Sequence, residues 1–191
     1  VNQDIYKSDY DYEIPEKLIA RYPPKNRTDS KLLLCKDQNF SIENFSSISN
    51  FFKKDDLIVF NETKVFKARL RLQKESGGQT EIFINRILSK FEAECLTKGL
   101  NLKKKSQVLK TNTFPLKISI VKEKDGLVLM KFSQNVEHLC SIYGKVPIPP
   151  YLKRDDDESD NVRYQTVFAN DVLKESAAAP TASLHFDNDL Y

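Results

Sequence analysis

Apolar and polar residues alternate along residues 66–73, where Phe66, Ala68, Leu70 and Leu72 interleave with Lys67, Arg69, Arg71 and Gln73. A period of two belongs to a strand with one buried face, so the pattern predicts a strand with a basic outer face. Strand patterns recur over residues 81–88, 91–97, 116–121 and 127–132, the last two joined through Asp125-Gly126, a pair that favours a tight hairpin. Short strands at this spacing predict a small antiparallel barrel or sandwich. Val136, Leu139, Cys140 and Tyr143 then fall at i, i+3, i+4 and i+7, predicting an amphipathic helix that stops at Gly144.

The flanks read differently. Pro15 opens a short helix over residues 15–20, which ends before Pro23-Pro24. Residues 31–36 read as a strand, and Ile42, Phe45, Ile48, Phe51 and Phe52 recur at helix-like spacing. Leu57-Ile58-Val59-Phe60, an apolar run bounded by charge, predicts a buried strand, and residues 163–168 resemble another. Residues 144–151 are too rich in proline for regular structure and suit a rigid connector better than a ligand for an SH3-like partner. Asp155, Asp156, Asp157, Glu158 and Asp160 suggest a solvated loop, and residues 187–191 a helix cap and first turn. The order is therefore mixed, all-β, then mixed. It predicts a discontinuous α/β domain, 1–65 with 146–191, carrying an inserted small antiparallel β-barrel over 66–145.

Composition narrows the class. In 191 residues, 40% hydrophobic with 12 Phe and 8 Tyr, there is enough apolar surface for a packed core. No apolar run approaches the roughly 20 residues a membrane-spanning helix needs, and the opening residues lack a signal-peptide pattern, so the expectation is a cytoplasmic protein with no membrane partner. The 3 cysteines form no Cys-x-x-Cys pair and only 2 histidines accompany them, which favours reduced, mostly buried thiols over a disulfide or a metal site. Glycine-rich nucleotide loops, a Gly-x-Ser-x-Gly elbow and His-Glu-x-x-His are all absent, which argues against Rossmann, P-loop, serine-hydrolase and zincin chemistry.

A net charge of +3 is mild, so nucleic-acid affinity has to come from local clustering. Lys64, Lys67, Arg69, Arg71 and Lys74 make a basic stripe that suits a phosphate backbone, or simply the solvated face of a sheet. A second group, Lys98, Lys103, Lys104, Lys105 and Lys110, is placed in a loop and weighted toward solubility. Asn61-Glu62-Thr63-Lys64 follows the apolar run, where polar side chains face either a ligand crevice or their own turn. In residues 177–186, small side chains allow close backbone approach to a ligand, and His185 titrates near neutral pH, although a lone histidine is more often structural. His138 is expected at the surface. Residue chemistry alone stops at an α/β protein with an inserted β domain and anion-binding features.

Taken in order, the clusters resemble the S-adenosylmethionine:tRNA ribosyltransferase-isomerase family of queuosine biosynthesis. The matching stretches are residues 10–15, 27–33, 56–65 with Ala68-Arg69-Leu70, 77–81, 144–151, 163–169 and 178–186. The resemblance implies an α/β domain with an inserted barrel. It also implies that the chain corresponds to an N-terminal portion, lacking the C-terminal part of the α/β domain. The implied reaction moves the ribosyl part of S-adenosylmethionine onto 7-aminomethyl-7-deazaguanine at a tRNA wobble position and rearranges it to epoxyqueuosine, with loss of adenine and methionine. S-adenosylmethionine is then a consumed substrate, with no resident cofactor and no metal. On this basis His185 or Glu62 transfers protons, Asn61, Thr63, Lys64, Arg163, Pro180 and Thr181 bind substrate, and Lys67, Arg69 and Arg71 hold the tRNA backbone. The implied partners are that tRNA and S-adenosylmethionine, and the expected form is a monomer or one completed by a C-terminal portion. The alternative is a noncatalytic RNA-binding remnant or half of a split enzyme. Glu62 stands where the family usually has Asp, Lys64 where it has Arg, and Ser183 where it has Gly. The Gly that commonly precedes the Ala178-Ala179-Pro180 segment is also missing.

Overall fold

The computed structural model describes residues 5–172 and 176–191, so part of the opening stretch read for a signal lies outside the described residues. After three short 3-10 turns the first strands form an antiparallel hairpin, β1 (Lys31–Lys36) and β2 (Asn39–Asn44). Its two turn residues, Asp37 and Gln38, take φ of 45° and 68°. Positive φ at both positions is what a two-residue hairpin turn requires, and neither residue is the glycine that advertises one.

The centre of the molecule is a closed antiparallel barrel. Its strands are β3 (Arg69–Lys74), β4 (Gln79–Ser89), β5 (Glu92–Lys98), β6 (Ser106–Lys110), β7 (Pro115–Lys124) and β8 (Leu127–Phe132), neighbouring one another in the order β4-β5-β8-β7-β6-β3, with β3 also pairing β4 to close the ring. Register shifts in β4–β5, after Ile84 and Ile87, and in β7–β8, after Ile120, are the bulges that let long strands bend around a small barrel. Asp125 and Gly126 turn the β7–β8 hairpin at φ 52° and 78°, as the dipeptide predicts. The alternation over residues 67–72, which runs into β3, holds: Ala68, Leu70 and Leu72 are buried, whereas Lys67 and Arg71 face outward. Leu70, Ile82, Ile84, Leu109, Leu116, Ile118, Val128 and Met130 fill the interior at 2% exposure or less. Burial of each such side chain is worth about 1.5–3 kcal/mol, so this interior is the main source of the barrel's stability.

Helix α1 (Val136–Tyr143) adds Val136, Leu139 and Cys140 to that core, and the Asn135 side chain caps it by accepting from His138 N at 3.1 Å. Gly144 ends it, but with φ −70°, so left-handed freedom is not its use. A Cβ there would stand 2.1 Å from Lys67 O and 2.2 Å from Cys140 O. Only glycine lets the short strand β9 (Gly144–Lys145) lie against β3.

Outside the barrel several expectations are corrected. Residues 57–60 form no strand: no described segment pairs with them, and Leu57 and Val59 are 88% and 82% exposed while Phe60 turns onto Phe168 and Phe186. Residues 163–168 form no strand either, since the short helix α2 (Asp160–Arg163) runs into a turn there. The periodic stretch 42–52 is the end of β2 followed by a 3-10 helix, Phe45–Phe51, with only Phe45 buried, and the helix expected at 15–20 is one 3-10 turn, Glu16–Leu18. Lys98 and Lys110 lie on β5 and β6 rather than in a loop. The acidic stretch is not wholly solvated, because Asp160 is buried. Two parallel bridges tie the 61–65 stretch to later residues, Thr63 with Asn170 and Val65 with Ser176. The Gln165 amide completes that contact: its Oε1 accepts from Val65 N at 3.0 Å and its Nε2 donates to Val65 O at 2.5 Å.

Candidate functional site

Three of the residues singled out in the sequence, Arg163, Thr181 and His185, line one cleft of about 350 Å³. Tyr22, Arg27, Ile148, Tyr151, Arg154, Asp160 and Tyr164 complete its walls. A 3-10 turn, Thr181–His185, presents His185, with Pro180 directly before it and Ser183 N donating to Pro180 O at 2.9 Å. Ser183 and Ala177 are not among the residues with positive φ, so a side chain at either position is accommodated without backbone strain.

Aromatic packing anchors the His185 turn. The Phe45 ring lies 5.2 Å from His185 and 5.1 Å from Phe186, and Phe60 lies 5.3 Å from Phe186 and 4.7 Å from Phe168. Burial lowers the His185 pKa below the ordinary imidazole value, and the Arg163 and Arg27 guanidinium groups lower it further. The imidazole is therefore uncharged at neutral pH and able to accept a proton. Across the cleft, Tyr164 is pushed up chiefly by burial and stays a neutral phenol.

The cations of the cleft are held by the backbone or by a carboxylate. Arg163 Nη2 donates to Pro24 O at 2.8 Å and Nη1 to Lys25 O at 3.3 Å. Arg154 meets Asp160 through two bonds, donates from Nε to Arg21 O at 2.6 Å, and lies 4.3 Å over the Tyr22 ring. These groups leave an aromatic, cationic recess beside one neutral base. Such a recess suits a ligand with a flat ring and polar substituents.

Asn61, Glu62, Thr63 and Lys64 lie elsewhere. Asn61 Oδ1 accepts from Thr63 N at 2.9 Å and from the Thr63 hydroxyl, Glu62 Oε2 accepts from Asn170 Nδ2 at 3.3 Å, and Lys64 pairs with Asp171. None of the four lines the His185 cleft; Lys64 borders a separate, larger recess of about 1020 Å³ beside α1. The two groups are joined through Phe60, which precedes Asn61 and packs on the residue after His185.

The basic stripe is less available than its spacing suggests. Arg69 is largely buried, donates from Nη2 to Ile148 O at 3.1 Å and stands 3.5 Å from Glu81, so it joins the barrel to the segment after β9 instead of facing a phosphate. Arg71 Nη2 meets Asp155 Oδ1 at 2.7 Å, a hydrogen bond that raises the arginine's pKa and lowers the carboxyl's. Lys67 remains on the exposed face. Sequence reasoning missed Arg27, Tyr22, Arg154, Asp160 and Tyr164. Arg27 and Tyr164 stand inside stretches already noted, but nothing in their local pattern tells that they converge on one cleft.

A closed barrel set between two runs of irregular chain, with a histidine-bearing cleft formed by those runs, defines an inserted-barrel protein with a candidate small-molecule site. The chain belongs to a family described as queuosine biosynthesis protein, which matches residues 7–191. It is 40% identical over 184 residues to an S-adenosylmethionine:tRNA ribosyltransferase-isomerase of Acinetobacter baumannii, covering 96% of this chain and 53% of the relative. The like-named protein of Legionella pneumophila is 38% identical over 189 residues, covering 95% and 54%. A solved S-adenosylmethionine tRNA ribosyltransferase from Thermotoga maritima is 28% identical, covers 76% of this chain and 52% of its own, and superposes with a TM-score of 0.34. The chain thus spans about half the length of the curated relatives it matches.

Proposed function

We propose that the chain supplies the N-terminal part of an enzyme that transfers the ribosyl group of S-adenosylmethionine to 7-aminomethyl-7-deazaguanine at a tRNA wobble position. Isomerisation then gives epoxyqueuosine, with release of adenine and methionine. The observation that carries this reading is the placement of His185, its pKa lowered by burial and two guanidinium groups, in an aromatic, cationic cleft formed by segments that match the family. A sulfonium acidifies the hydrogens on the adjoining C5′ carbon, and a neutral imidazole beside it accepts one of them. Arg163 and Thr181 share the cleft and orient the substrate, with Pro180 shaping the turn that holds Thr181. Glu62, exposed on the neighbouring loop with Asn61, Thr63 and Lys64, is the second candidate for proton transfer, reaching substrate from the far side of the Phe60 cluster. S-adenosylmethionine is consumed, so no resident cofactor is required.

Lys67, just ahead of β3, and Arg71, on its outer face, meet the tRNA backbone, while Arg69 acts from beneath them. A tRNA substrate assigns the protein to the cytoplasm, and one copy suffices for the site described. Residues 1–65 with 146–191 act as one discontinuous domain around the barrel. The exposure of Leu57 and Val59 favours a second form of the same reading, in which this half binds substrates and turns over only with the polypeptide that covers that run.

The test is a titration of the chain with S-adenosylmethionine, following the imidazole signals of its 2 histidines by NMR, together with an assay for adenine release on tRNA carrying the aminomethyl base. The signal of His185 is expected to shift on binding while that of His138 stays. Saturating S-adenosylmethionine that moves neither signal would remove this cleft as the site. Binding without adenine release would favour the half-enzyme form.

A further inference from the structure

Arg27 belongs to a turn far from His185 and Arg163 in the chain, yet it grips the residue before each of them. Its Nη1 donates to Leu184 O at 2.8 Å and its Nη2 to Val162 O at 2.9 Å. Arg163 answers by gripping Pro24 O and Lys25 O, just ahead of Arg27. The two arginines therefore brace three segments against one another. A planar fork with donors in fixed directions can hold two carbonyls at a set separation, which a lysine ammonium cannot.

We propose that Arg27 is a positioning residue of the cleft: its fork sets where the His185 imidazole stands relative to the Arg163 guanidinium. The proposal deepens the site described above and borrows its purpose from that reading, while the brace itself is a matter of geometry.

The charged surroundings of His185 agree with such a role. Arg27 faces it from the 27–29 turn and Arg163 from α2, and both disfavour a charged imidazole. Asp187, on the same segment as His185, accepts from Thr28 Oγ1 at 3.4 Å and interacts with Arg27. Arg154 and Asp160 neutralise each other across the cleft, Tyr22, Tyr151 and Tyr164 add neutral phenols, and Phe45 packs on the ring. Arg27 thus bears on both the position and the charge of the imidazole.

The experiment uses the full chain with labelled histidine, the signal of His138 being assigned through H138Q. Two quantities are read for His185: its titration midpoint, and the displacement of its ring signals by the Phe45 ring current. In R27Q both are expected to move, the midpoint rising as a neighbouring cation is lost. In R27K the charge is kept and the fork is lost, so the ring-current displacement changes while the midpoint stays near its wild-type position. A folded R27K or R27Q with the wild-type ring-current displacement would overturn the proposal. So would loss of the barrel amide signals in both variants, since Arg27 would then support the fold at large rather than the placement of one ring. No substrate enters the measurement, so its outcome is separate from that of the S-adenosylmethionine titration.

Discussion

Arg154 holds Asp160 through a fork, Nη1 to Oδ2 at 2.6 Å and Nη2 to Oδ1 at 2.8 Å, with both side chains less than a tenth exposed. Asp160 Oδ2 also accepts from Asp157 N at 2.9 Å, so the carboxylate organises the turn into α2. Breaking a buried pair by removing one partner strands the other charge, and D160N is expected to destabilise the 146–165 segment by roughly 3 kcal/mol. The hydrogen bond from Arg154 holds the Asp160 pKa below its ordinary value of 3.8. A depressed carboxyl contributes stability that is complete above that value and disappears as pH falls through the folded pKa. Hydrogen exchange of residues 157–164 measured down an acid series checks both points, and D160N should remove that part of the acid sensitivity.

Gly144 tolerates no side chain, because the atoms a Cβ would meet are backbone oxygens of Lys67 and Cys140. The cost of G144A is expected to be about 3 kcal/mol or more, felt as separation of β9 from β3. Thermal unfolding followed through the barrel measures it. An unchanged midpoint would show that the two backbones part without penalty.

The thiols differ in reactivity. Burial raises the Cys140 pKa to about 12 and pushes that of Cys95 higher still, whereas Cys35 lies exposed on β1. A thiol reagent at neutral pH should therefore modify Cys35 alone in the native chain, with Cys95 and Cys140 reacting only on denaturation. Rapid native modification of Cys95 would contradict the packed barrel.

Asp155 occupies Arg71 in the way a phosphate would. If the outer face of β3 meets tRNA, D155N frees the Nη2 edge of a guanidinium that Glu81 still faces at 3.8 Å and raises affinity at low salt, while R71A lowers it and reduces the slope of log affinity against log salt by about 1. Salt-dependent binding of tRNA by the two variants decides. No response to either change would place the RNA elsewhere.

The barrel was legible because a half-buried strand imposes a period of two on its own residues. Phe66 to Leu72 and the Asp125-Gly126 turn carry that signal locally. β6 went unseen because Ser106–Lys110 is short and follows a lysine cluster that resembles a loop. The hairpin of β1 and β2 hid behind Asp37-Gln38, a turn without glycine. Leu57-Ile58-Val59-Phe60 has the composition of a buried strand, but burial depends on what lies across from a segment: Phe60 meets Phe168 and Phe186, whereas Leu57 and Val59 stay exposed.

By itself the sequence determined the small antiparallel barrel, the amphipathic helix after it, and membership in a family through ordered stretches that include Arg27, Asn61 and His185. Tertiary structure decided which of those residues meet. Arg27, Val162 and Leu184 come together across 135 and 157 residues of chain, Arg69 turns from a prospective phosphate ligand into a link to Ile148 O, and the acidic stretch yields one buried carboxylate for Arg154. Periodicity reports the face a residue shows within its own element. Hydrogen bonds, desolvation and ion pairs between distant segments depend on distances that exist only after folding, and those distances define the His185 cleft.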